Sequence, residues 1–213
     1  VDLLSQFAHA VAGFKIIFDE VVMRVFSFGA STAQGMRDDD GGGFIARLGK
    51  RLNEADSGTA ENFGIGGETT DQMSERAGTL NCGDGDVAVV TLGINDIART
   101  PDRAPHKRVS LARHRANVAA IVGALVGKGC KVVYLTQYPV DCVAHGLDPA
   151  QVSAYVRAGH EAAEEVGVAV IDVNSAIDDA LYRRFIFADG MHFNGDGHAF
   201  IADLVWEWLQ SER

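Results

Sequence analysis

Cysteine is scarce in this chain of 213 residues, which holds only Cys82, Cys130 and Cys142. An odd number at spacings that no zinc site uses argues against a disulfide framework and a cysteine-based metal centre, and fits reduced thiols in the cytoplasm. Basic charge is also in short supply, with 19 Lys and Arg against 29 Asp and Glu. Such a chain has no basic face for a phosphate backbone, so nucleic acid is not an expected partner. An uninterrupted apolar run long enough to cross a bilayer is missing too, because Gln6, His9, Lys15, Asp19 and Glu20 break up the most hydrophobic segment. No stable membrane insertion is expected. That segment has no basic leader before its apolar residues and does not read as a secretory signal, although a signal removed earlier would leave export open. Internal repeats, interdomain linkers and low-complexity stretches are lacking as well.

What is present suits one well-buried core, since 47% of the residues are hydrophobic and a chain of this length is short for two. Apolar runs rich in β-branched residues alternate with stretches of helical period, the pattern of an α/β fold with a parallel sheet wrapped by helices. The strand candidates are Arg24–Gly29, Ala60–Phe63, Val87–Leu92, Lys131–Thr136 and Val168–Val173. Helices are expected over Gly43–Ala55, Asp71–Leu80, Leu111–Val126 and Pro149–Val166, with Leu111, Val118, Ile121, Val122 and Leu125 on one buried face. A last helix starts at Gly195–Gly197 and carries Phe200, Ile201, Leu204, Val205, Trp208 and Leu209 at helical spacing.

In open parallel sheets, reactive groups gather beyond the carboxyl ends of the strands. The first such loop reads Phe28 to Gly35 and places Ser31 at that edge. A serine there can simply cap a helix. The third strand runs into Thr91 to Asp96, where the amide of Asn95 can donate to a developing oxyanion or serve only as a turn residue. The second runs into Asn62 to Thr69, whose glycines let a backbone N–H come close to a substrate oxygen. Near the C-terminus, Asp189 and His192 stand three residues apart, a spacing at which a carboxylate can orient an imidazole and stabilise its protonated form. Each segment alone has an ordinary structural explanation. Together, and in this order, they supply a nucleophile, two oxyanion donors and an oriented base.

These segments resemble the blocks of the SGNH hydrolase superfamily in its GDSL-like lipase and acylhydrolase branch, from about Arg24 to the end. Phe28 to Gly35 resembles the nucleophile block, Gly67 in the run Ile65 to Thr69 fits the glycine of the second, Gly93 to Asp96 matches the third unchanged, and Asp189 to His192 has the spacing of the acid and base. The resemblance implies a single three-layer α/β/α domain over residues 23–213, flavodoxin-like, with a parallel sheet of five strands. It also implies a serine esterase without cofactor or metal, with Ser31, Asp189 and His192 as triad and the Ser31 and Gly67 N–H groups with the Asn95 side chain as oxyanion hole. The expected partner is a small-molecule ester with a small or short acyl chain, with sugar acetates, lysophospholipids and thioesters as alternatives. Ala30 stands where the family usually has aspartate, and Phe193 where proline is frequent; neither change removes a reacting group.

Competing readings fit less well. Gly29 to Ala33 only approximates the Gly-x-Ser-x-Gly elbow of an α/β-hydrolase. Neither Gly41–Gly43 nor Gly64–Gly67 has the Gly-x-Gly-x-x-Gly spacing of a nucleotide-binding module. A catalytically silent binding protein on this fold would not need the full set of reacting groups. Asp38, Asp39 and Asp40 depart from a calcium loop and read as solvated, and His198 reads as structural, helping to start the last helix. Arg99, Arg103, Lys107, Arg108, Arg113 and Arg115 concentrate positive charge after Asn95, as a solvated segment or as a rim favouring anionic acyl groups. Residues 1–22 read as an amphipathic helical extension, with Leu4, Phe7, Val11, Phe14, Phe18 and Val21 expected on one stripe. It packs on its own domain, docks on a second subunit as part of a homodimer, or is leader sequence ahead of a start at Met23. The dimer is slightly favoured.

Overall fold

Five strands of the computed structural model, which describes residues 23–39, 41–97 and 108–212, pair in one all-parallel sheet. They are β1 (Met23–Gly29), β2 (Gly58–Gly64), β3 (Asp86–Thr91), β4 (Lys131–Leu135) and β5 (Ala169–Ile171), in the order β2-β1-β3-β4-β5. The helices are α1 (Ser31–Gln34), α2 (Gly43–Glu54), α3 (Thr70–Thr79), α4 (Leu111–Gly127), α5 (Pro149–Val166), α6 (Val173–Ala176), α7 (Asp179–Phe185) and α8 (Gly195–Ser211), with a 3-10 turn at Ile94–Asp96. Residues 1–22, with the expected amphipathic helix, and Arg99, Arg103 and Lys107 of the basic segment lie outside the described residues.

The two-residue period of the strands divides the core into two layers. Val25, Val89 and Val133 face α2 and α8, where Leu48, Leu52, Ile201 and Val205 are buried. Phe26, Val90 and Tyr134 face the other way, onto Met73 of α3, Ile121 of α4 and Ala162 of α5. Central strands covered on both faces read as nearly continuous apolar runs, which is why β1, β3 and β4 were visible in the sequence. The expected buried face of α4 holds at Val118, Ile121, Val122 and Leu125, but Leu111 at its start is 40% exposed.

The connectivity creates the crevice. From β1 the chain moves outward to β2, then crosses back to β3 on the other side of β1, so the loops after β1 and β3 diverge at a topological switch point. Ser31 follows β1 and Asn95 follows β3. Two loop readings need correction. Asp38 is not solvated: its side chain is fully buried, accepts from the Gly43 N–H at 2.8 Å and pairs with Arg47, anchoring the start of α2. His198 does not start α8, because Asn194 is the cap and its side chain accepts from Gly197 N–H at 3.0 Å. His198 instead sits buried within the helix, its Nε2 donating to Met36 O at 3.3 Å.

Candidate active site

The site begins with a close approach of two strands. A Cβ on Gly29 would lie 2.1 Å from Thr91 O, so only glycine lets the ends of β1 and β3 come together there. Ser31 follows two residues later as the first residue of α1, with Ala30 in the capping position. It is therefore not a cap. Its hydroxyl, in a residue 8% exposed, lies 3.1 Å from His192 Nε2.

His192 and Asp189 sit in the loop between α7 and α8, fixed at its base by an antiparallel bridge between Ile186 and Phe193. Asp189 Oδ1 accepts from the backbone N–H groups of Met191 and His192, both at 3.0 Å, and Oδ2 is 2.8 Å from His192 Nδ1. Burial works against the charge of Asp189, but these donors together outweigh it and hold its carboxyl at about 2, so it is ionised at neutral pH. An ionised carboxylate only accepts, so Nδ1 carries the proton and Nε2 presents its lone pair to Ser31. The loop is tied down on its outer side as well. His145 Nε2 donates to Asp189 O at 2.7 Å, and Tyr138 Oη donates to Met191 O at 3.0 Å. Phe193, in place of a proline, is buried and packs its ring 3.7 Å from that of Tyr138.

The second and third loops meet on the other side of Ser31. Ile65 N–H donates to Gly29 O at 2.9 Å and Gly66 N–H to Gln34 Oε1 at 3.0 Å, which seats the loop after β2 against α1. Gly67 then turns with φ of 81°, a left-handed conformation open to glycine. Asn95 Nδ2 donates to Glu68 O at 3.0 Å, so the two expected oxyanion segments are in direct contact. A cleft of about 410 Å³, counted with its open mouth, adjoins Ser31 and Asn95 and is walled by Leu92, Leu135, Tyr138, Val173 and Phe193. Ser31, Asp189 and His192 thus form one hydrogen-bonded line, with Asn95 and the Gly67 loop gathered at the same edge. Arg37, whose Nε lies 3.3 Å from Asp189 Oδ2, and His145 were not singled out in the sequence, because no motif spans those separations.

A model of the GDSL-like lipase/acylhydrolase family matches residues 27–200. The chain belongs to this family. It is accordingly a hydrolase acting on ester bonds. Solved structures agree on the fold. A lipase/acylhydrolase from Enterococcus faecalis superposes with a TM-score of 0.73 at 22% identity, over 89% of this chain and 96% of that one. An acetylxylan esterase from Geobacillus stearothermophilus gives 0.68 at 21% identity, over 85% and 91%, and the acetyl xylan esterase AlAXEase gives 0.70 at 21% identity, over 87% and 98%. No curated protein matches the chain with significance. As a GDSL-family hydrolase it departs from the family name at Ala30, which packs with the α3 and α4 side of the core and lines the cleft beside Ser31. No helix among the described residues is long and apolar enough to cross a membrane.

Proposed function

We propose that this hydrolase cleaves carboxylic esters of short acyl chains through an acyl-enzyme on Ser31. The observation that carries the reading is the line from Ser31 Oγ to His192 Nε2 at 3.1 Å and from His192 Nδ1 to Asp189 Oδ2 at 2.8 Å. His192 Nε2 takes the Ser31 proton as Oγ attacks the carbonyl carbon, and the ionised Asp189 stabilises the imidazolium. The carbonyl oxygen becomes an anion held by the N–H groups of Ser31 and Gly67 and by the Asn95 amide. When the tetrahedral intermediate collapses, the C–O bond to the alcohol breaks and His192 returns the proton to the departing oxygen. Water, deprotonated by His192, then attacks the acyl-enzyme in the same way and releases the acid. No cofactor enters these steps.

The cleft beside Ser31 supports a short acyl group, because the apolar side chains of Leu92, Leu135, Tyr138, Val173 and Phe193 wall it closely and even with its open mouth it holds only about 410 Å³. A carbohydrate O-acetyl ester is a specific substrate of this kind, and two of the fold relatives are acetyl xylan esterases by name. The test is a rate panel of aryl esters from acetate to octanoate, extended to acetylated xylo-oligosaccharides and acyl thioesters. Acetate and propionate should be fastest, and octanoate slower by about tenfold or more as the chain outgrows the cleft. Ser31→Ala should lose activity by about four orders of magnitude or more while keeping the circular dichroism of the parent, and an aryl phosphonate should label the parent only. Activity near the parent's in Ser31→Ala would sink the mechanism.

A further inference from the structure

We propose that Asp96 is a positioning residue of the oxyanion hole, its buried carboxylate tying the turn that carries Asn95 to the segment that carries Gly67, with His114 holding the carboxylate in place. The inference rests on the roles proposed above for Asn95 and Gly67. Asp96 ends the 3-10 turn that begins at Ile94 and is 0% exposed. A carboxylate removed from water is tolerated only when its oxygens are met by donors. Here Oδ1 accepts from Thr70 N–H at 2.8 Å, while Oδ2 accepts from Thr70 Oγ1 at 2.6 Å and from His114 Nδ1 at 2.7 Å. Thr70 Oγ1 is itself met by Asn117 Nδ2 at 3.0 Å, which leaves its proton directed at Asp96.

These contacts place one anion between the two donor segments. Thr70 opens α3, whose N-terminal N–H groups and dipole favour negative charge, and it follows Gly67 by three residues. The entry to α3 is stiffened by a capping box in which Thr69 N–H donates to Gln72 Oε1 at 3.0 Å. On the other side Asp96 is the covalent neighbour of Asn95. The Asn95 Nδ2 bond to Glu68 O at 3.0 Å then closes a ring that runs from Glu68, the covalent neighbour of Gly67, through Thr70, Asp96 and Asn95 and back. Both oxyanion donors are mounted on that ring, so their separation is set by it. Donor placement matters because electrostatic stabilisation of an oxyanion requires donors already aimed at the site where charge develops.

His114 completes the device from α4. Its ring is 1% exposed, packs against Tyr155 with centroids 5.0 Å apart, and has no partner at Nε2 among the described residues. The imidazole therefore spends its polar contact on Asp96. In the triad a carboxylate orients an imidazole; here an imidazole orients a carboxylate.

The test is a double-mutant cycle on kcat. Asn95→Ala is expected to lower kcat about a hundredfold with little change in KM. Asp96→Asn, which turns an N–H of its own toward Thr70 or His114, should lower kcat about tenfold or more, and the double variant should fall no further than Asn95→Ala alone. Thr70→Val, run through the same cycle, keeps the test open if Asp96→Asn does not fold, and Thr70→Ser should recover what Thr70→Val loses. A role confined to stability predicts losses that multiply in the double variant. Multiplying losses, or an unchanged kcat in both Asp96→Asn and Thr70→Val, overturn the proposal while leaving the hole itself standing. An unchanged kcat in Asn95→Ala overturns the hole and this proposal with it.

Discussion

At Asp189 two opposed effects meet in one side chain. Burial disfavours its charge, and the N–H groups of Met191 and His192 with the His192 ring favour it more strongly, leaving the carboxyl at about 2 against an ordinary 3.8. Because the folded-state value is the lower one, the stabilisation is complete above the ordinary value and is lost as pH falls toward about 2. It amounts to roughly 2 kcal/mol at neutral pH. Arg37 adds little, since its guanidinium is half exposed and solvent screens the pair. Asp189→Asn should therefore flatten the acid limb of the stability curve between about pH 4 and pH 2, and urea midpoints measured across that range for parent and variant provide the check. The variant should also lose turnover by about a thousandfold or more, because an amide no longer enforces the Nδ1–H tautomer. Ser31, Asp189 and His192 were legible in the sequence because their spacing and their position after a strand or before a helix carry the signal. Asp96 lay inside a recognised motif, yet its role was not legible: Thr70 and His114 reach it from α3 and α4, and no local pattern reports which helix a carboxylate will meet.

The elements show where periodicity suffices and where it fails. α5 was readable to the residue, since Asp148 caps it, Pro149 opens it and Gly167 ends it in a left-handed turn. β2 lies at the sheet edge with much of its surface exposed, and β5 pairs over only Ala169–Ile171 before Val173 begins a helical turn, so both ran to different bounds than their apolar runs suggested. α1, α6 and α7 have four to seven residues, too few to display a helical period. α8 is the element most directly joined to the chemistry. Its cap, Asn194, accepts from Gly197 N–H at 3.0 Å, donates through its own N–H to Phe185 O at 2.8 Å and through Nδ2 to Arg184 O at 2.7 Å, and stands two residues after His192. Asn194→Ala should cost about 1 kcal/mol, or some 2–4 °C in Tm. Calorimetry of parent and variant measures the loss, and kcat should fall as well because the same cap fixes the exit of the loop that carries Asp189 and His192.

Across the whole molecule, the acidic excess of 29 against 19 charged residues gives no broad attraction for anionic partners. Of the three described arginines of the basic segment, Arg108, Arg113 and Arg115, two are neutralised by partners, Arg113 by Asp71 and Arg115 by Glu165. The fold also fixes when the enzyme becomes competent. Ser31 and His192, in hydrogen-bond contact, are 161 positions apart, so on the roles proposed above a growing polypeptide holds its nucleophile long before its base exists. Chains arrested on the ribosome short of residue 192 should remain unlabelled by an aryl phosphonate at any incubation time, whereas the released full-length chain should react. On the proposed roles, a copy that ends before residue 192 carries a serine with no base beside it, so reactivity at Ser31 reports that this distant loop has been made and has docked.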